Sequence, residues 1–175
     1  MKKLRVLDAK NYTNDMPLLE RVASRAVIAV NGQLALTVSG KGEHKLPGGT
    51  LEAGESPTEL LIREVREETG LVVIPESIVP IGEIDEFRRD AYDETQRYHC
   101  LSLYYWCEVL PEALEPCMTQ TEILKGFHPL WATPEQALES NRRLREAPWM
   151  EREICFFEML ASGEVPLYAP ASRLV

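Results

Sequence analysis

No run of eighteen or more apolar residues occurs in the chain, whereas a membrane-crossing helix takes roughly 20. The amino-terminal stretch MKKLRVLDAKNYTND opens with two lysines but turns polar before the apolar core of a signal peptide could form. These absences lead us to expect a soluble, cytoplasmic protein with no membrane partner. Cysteine is sparse: Cys100, Cys107, Cys117 and Cys155 form neither a CxxC pair nor a dense ladder, which argues against a zinc cage or a disulfide framework and for reduced thiols. His44, His99 and His128 show no metal-ligand spacing. Basic charge is also short, with 28 acidic against 19 basic residues and a net charge of −9. A bulk electrostatic grip on nucleic acid is therefore not expected. A phosphorylated substrate would instead need metal cations or a few well-placed arginines.

What is present fits one globular domain over residues 1–175, since 45% of the residues are hydrophobic and domains commonly run ~100 to 200 residues. Ser24 to Val38 holds two β-rich runs around Asn31-Gly32, a dipeptide suited to a tight hairpin. Gly40 to Gly54 carries five glycines and one proline in fifteen residues and reads as a loop. Ser56-Pro57-Thr58-Glu59 then supplies an N-cap, a first-turn proline and a capping-box glutamate, and Gly70 a C-terminal stop. A helix is predicted over Pro57 to Thr69. Further β-rich runs lie at Leu71–Ile74, Ile78–Ile84 and Tyr98–Val109, with a charged segment at Asp85–Arg97 and helices suggested at Pro134–Leu138 and Trp149–Ala161. Strands flanked by helices imply an α/β layered domain.

At 100° per residue, Glu64, Glu67 and Glu68 of the predicted helix fall within an arc of about 100°. Ile62, Val65 and Thr69 occupy the neighbouring arc, so one side can be buried while an acidic ridge runs along its edge. Like charges this close repel. One reading is a solvated acidic face eased by Arg63 and Arg66; the other is a hard divalent cation such as Mg²⁺ or Mn²⁺, which takes clustered carboxylate oxygens alongside substrate phosphates. Gly48 and Gly49 favour the second, because they let backbone approach the ridge and aim a carbonyl oxygen at the same ion. Glu55 adds a fourth carboxylate at the helix entry.

The pattern is specific. Gly49, Glu55 and the run Arg63-Glu64-Val65-Arg66-Glu67-Glu68-Thr69-Gly70-Leu71 match the Nudix box, G(x5)E(x7)REUxEExGU with U aliphatic, at all nine fixed positions over residues 49–71. The hairpin and the Pro47-Gly48-Gly49 loop before it also resemble that family's layout. The resemblance implies an α/β/α sandwich with a mixed β-sheet, and hydrolysis of a nucleoside diphosphate linked to another group with Mg²⁺ or Mn²⁺ as cofactor. Carried over by position, Glu64, Glu67 and Glu68 would be catalytic metal ligands, joined by Glu55 and the Gly49 carbonyl. Arg63 would orient a glutamate rather than touch substrate. The base that takes the proton of the attacking water would be Glu64 or Glu122, the latter lying just before a Trp131-containing strand.

Outside the box, Arg25, Arg88, Arg89 and Arg97 are candidate phosphate contacts, and Tyr92, Tyr98 or Trp131 candidate base-stacking groups. The expected partner is a small nucleotide-derived molecule; nucleic acid is not expected, and a homodimer is a candidate assembly. A non-catalytic Nudix domain that senses a nucleotide is the alternative, although such domains typically lose box glutamates that this chain keeps. An isoprenoid diphosphate isomerase on the same scaffold would need a catalytic cysteine that cannot be placed here.

Overall fold

The structure, a computed structural model, describes residues 1–144 and 147–169. In chain order the strands are β1 (Lys3–Asp8), β2 (Leu18–Val27), β3 (Ala29–Val30), β4 (Gln33–Val38), β5 (His44–Lys45), β6 (Val79–Arg89), β7 (Arg97–Trp106) and β8 (His128–Ala132). The helices are α1 (Pro57–Thr69), α2 (Gln120–Leu124), α3 (Pro134–Leu144) and α4 (Met150–Ala161). One sheet runs β1-β6-β7-β2 and is mixed: β1 and β6 are parallel, β6 and β7 antiparallel, β7 and β2 parallel. A second runs β3-β4-β5, with β8 also paired to β4.

The alternation of side chains along β2 and β7 creates two cores. Ala26, Leu103 and Tyr105, with Ile28 and Cys107 just beyond the strand ends, pack with Leu61 and Val65 of α1. Val27, Tyr104 and Trp106 point the other way, toward Ala137 and Leu138 of α3 and Ile154, Phe156 and Phe157 of α4. Tyr104 and Phe156 stack at 3.8 Å. Helices therefore cover both faces, which is the α/β/α arrangement expected. Among the described residues no helix is long and apolar enough to cross a membrane.

Helix α1 has the bounds read from the sequence, because its signals are local. Ser56 accepts the Glu59 N–H, Glu59 reaches back to the Ser56 N–H, and Gly70 closes the helix in the left-handed region at φ 76°. The hairpin forms as expected, with Asn31 at φ 50° and Gly32 at φ 80° between β3 and β4.

Three readings change. Leu71–Ile74 does not become a strand: it follows the helix cap directly and is stopped by the short 3₁₀ turn Pro75–Ser77, leaving one bridge from Val73 to Val109. The charged segment from Asp85 is half strand, since β6 continues to Arg89. There its charges are paired, Asp85 with Lys3 at 2.6 Å and Glu86 with Arg88 at 2.8 Å. The polar amino terminus forms β1, added in parallel along the edge of β6. The four cysteines are free, and burial pushes the Cys107 thiol up to about 12.

Candidate active site

The site is assembled along the outer edge of β2. The Ala26 N–H donates to the Pro47 carbonyl at 2.9 Å, Ser24 N–H to Gly49 at 3.2 Å, and Leu51 N–H to Val22 at 2.8 Å, so the glycine loop lies against β2 almost as a further strand. The approach is too close for side chains. A Cβ on Gly48, whose φ is 140°, would stand 2.0 Å from the Ser24 carbonyl oxygen, and one on Gly49 would stand 2.3 Å from Glu64 Oε1. The Gly48 carbonyl accepts from the Arg25 guanidinium, and the Gly48 N–H donates to Glu68 Oε2 at 2.8 Å. Loop and helix are thus tied through one peptide on each side of Gly48.

On α1 the carboxylates Glu64, Glu67 and Glu68 differ in exposure. Glu68 is buried, the Glu64 side chain is 17% exposed and that of Glu67 40%. Burial pushes the Glu68 carboxyl up to about 7, against the opposing pull of Lys45, the Gly48 N–H and Arg25. Burial also raises Glu64, with Arg63 opposing. Arg63 is engaged by its neighbours on and before α1. It grips Glu55 through two hydrogen bonds of 2.9 and 3.2 Å, Glu64 at 2.9 Å and Glu67 at 3.3 Å, which holds the Glu55 carboxyl below its ordinary range and raises Arg63 itself. As they stand, these contacts engage the carboxylates, and among the described residues no three His, Cys, Asp or Glu side chains are arranged to hold a metal ion.

A cavity of about 740 Å³ is lined by Arg25, Lys41, Lys45, Lys125 and Arg152, by Glu43 and Glu122, and by the rings of Phe127 and Trp149. Arg25 and Glu122 are the residues singled out by sequence that line it. Glu122 is the third residue of α2 and its carboxylate accepts from Thr119 N–H and Oγ1, both at 2.7 Å, so it caps its own helix at the cavity rim. Arg88 and Arg89 line a separate cleft with Phe87 and Leu7. The Arg88 guanidinium lies 4.0 Å above the Tyr98 ring, and Arg97 reaches Asn14 at 3.4 Å. Tyr92 is 95% exposed, and Trp131 lies in a smaller cleft with Leu130 and Leu71.

Sequence reading missed Lys45, Arg152 and Glu153. The signal available was the adjacent charged pair Arg152-Glu153 within the apolar pattern of α4. Glu153 is fully buried and accepts the Leu46 N–H at 3.3 Å, with Arg25 and Arg152 each 3.8 Å from its other oxygen. Arg152 also donates to Glu86 at 3.2 Å. Removing one partner of a buried ion pair leaves the others uncompensated. Glu153→Gln is therefore expected to lower the unfolding free energy by about 3 kcal/mol or more, read by urea denaturation. Arg142→Gln, which breaks an exposed pair with Glu158, should cost less than ~1 kcal/mol.

The family model of the NUDIX domain matches residues 20–152. An ADP-ribose pyrophosphatase of Methanocaldococcus jannaschii is 33% identical over 70 residues, covering 40% of this chain and only 37% of that protein's length. In fold, the chain is similar to a NUDIX hydrolase from Nitrosomonas europaea, with a TM-score of 0.59, 21% identity and coverage of 88% of this chain and 95% of that one. A MutT NUDIX hydrolase from Burkholderia pseudomallei gives 0.52, 20%, 67% and 85%. These two likenesses bear on the fold alone, whereas the family model spans well over half the chain and takes in the whole glycine loop and carboxylate helix. On that match, the chain belongs to the NUDIX family.

Proposed function

We propose that the protein is a divalent-metal-dependent hydrolase that cuts the phosphoanhydride bond of a nucleoside diphosphate joined to a second group. The observation that carries this reading is the meeting of Glu64 and Glu68 with the Gly48-Gly49 loop, with Glu67 tied to the same arginine as Glu64, near a cavity walled by cations and aromatic rings. The donor set fits Mg²⁺ or Mn²⁺, being all hard oxygen. Glu64, Glu67 and Glu68 would hold the ion, with Glu55 and the Gly49 carbonyl as additional oxygens. When bound, the cation offsets phosphate charge and acidifies the attacking water.

The remaining roles belong to the chain's own groups. Arg63 fixes the carboxylates relative to one another, and Arg25 holds the glycine loop by its Gly48 carbonyl while facing the cavity. Glu64 suits the base role better than Glu122, because the Glu122 carboxylate is taken up in capping α2. Four free thiols suit a cytoplasmic setting.

The test is a substrate panel of dinucleoside polyphosphates, nucleotide sugars and nucleoside triphosphates in ¹⁸O-labelled water. Turnover that is abolished by EDTA and restored by Mg²⁺ or Mn²⁺ is expected, with label entering one phosphate product. Absence of turnover across the panel would overturn the hydrolase reading in favour of a nucleotide sensor.

A further inference from the structure

The cavity has a charge opposite to that of the chain. Its lining carries five cations against two carboxylates in a protein with a net charge of −9, and of the five, Arg25 and Arg152 are paired from behind with the buried Glu153 and Glu86. Glu122 caps α2, and Glu43 accepts the Ser39 hydroxyl at 2.7 Å. Two of the cations come from deep in the fold: Arg25 is 6% exposed and Arg152 4%. Lys45 reaches the cavity from β5. Its ammonium lies 5.2 Å from the centre of the Phe127 ring and 5.8 Å from that of Trp149, and no hydrogen bond or ion pair to it is found among the described residues. Rings stabilise such a cation only in part, and Glu68 and Glu153 act on it without direct contact, so an anion that touches it would stabilise it further.

This excess has a consequence for the substrate. In a nucleoside diphosphate joined to a neutral sugar, the diphosphate carries roughly two negative charges, and a cation held by the box carboxylates would offset these. Nothing on such a substrate would then meet Lys45. A further phosphate would.

We propose that Lys45 forms an anion subsite that receives an additional phosphate group, and that it determines specificity for polyphosphate-bearing nucleotides over those ending in a neutral sugar. The substrate side of this assignment rests on the hydrolase reading above; the anion site does not. Phe127 and Trp149 hold the Lys45 ammonium between them, so that it meets phosphate as a positioned point charge.

Two measurements separate the two claims. Equilibrium binding of inorganic tripolyphosphate to the metal-free protein in EDTA is expected for the wild type, and at least tenfold weaker for Lys45→Met. Lys45→Arg should recover most of the affinity, and thermal melts should show all three proteins folded. In kinetic assays with Mg²⁺, the ratio of kcat/KM for a nucleoside triphosphate to that for ADP-ribose should fall at least tenfold in Lys45→Met, mainly through KM. Tripolyphosphate binding that is absent from the wild type, or equal in folded Lys45→Met, would overturn the anion subsite even if hydrolysis is robust. Lys45-dependent binding without turnover of any nucleotide would uphold the subsite while removing the hydrolase reading. A discrimination ratio unmoved by Lys45→Met would overturn the specificity role.

Discussion

Glu67→Gln is expected to lower turnover about 100-fold or more while moving the melting temperature by less than about 4 °C. The two halves have separate causes. Glu67 is the most exposed of the three ridge carboxylates, with a side chain 40% open to solvent, and its hydrogen bond to Arg63 spans 3.3 Å. A contact of that kind contributes less than ~1 kcal/mol, and Arg63 keeps Glu55 and Glu64 when it is lost. Glutamine preserves the shape and removes the charge that a hard cation needs. Glu68 is a less clean choice, because it is buried and accepts the Gly48 N–H, so its substitution disturbs loop and chemistry together. Steady-state kinetics with Mg²⁺ beside a thermal melt decides the matter. A folded variant with wild-type turnover would remove the metal role of the ridge.

The second large effect separates two adjacent glycines. Gly48→Ala is expected to destabilise the fold by about 3 kcal/mol or more, a fall in melting temperature on the order of 10 °C. Its Cβ would stand 2.0 Å from the Ser24 carbonyl oxygen, at a φ of 140° that alanine rarely adopts. Ser24 belongs to β2, and withdrawing its backbone would break the bonds that seat the loop. At Gly49 the obstacle is different in kind, since the new Cβ would meet Glu64 Oε1 at 2.3 Å, the far end of a flexible side chain. Gly49→Ala should therefore stay folded, with a cost below ~1 kcal/mol, but displace the Glu64 carboxylate and reduce turnover ~10 to 100-fold. Thermal melts and turnover of both variants test the contrast. Equal stability of Gly48→Ala and the wild type would contradict the close packing of loop and strand.

The sequence by itself determined the features whose causes lie within a few residues. The bounds of α1 follow from Ser56, Pro57, Glu59 and Gly70, and the hairpin turn from Asn31-Gly32. The shared arc of Glu64, Glu67 and Glu68 follows from helical spacing, and the complete box made it a candidate metal site rather than a solvated face. Tertiary structure decided what depends on partners far along the chain. A polar segment became β1 because β6 offered it an edge, and Asp85–Arg89 stayed in a strand because Lys3 and Arg152 supplied counter-charges to Asp85 and Glu86. The cavity brings Arg25 from β2, Lys45 from β5 and Arg152 from α4 to one place, a convergence that carries no periodicity to read. Arg88 and Arg97, equally charged in the sequence, were drawn instead to Tyr98 and Asn14. Composition showed an acidic chain; only folding lined one cavity with Arg25, Lys41, Lys45, Lys125 and Arg152 against Glu43 and Glu122, and set Glu153 and Glu86 behind the two arginines.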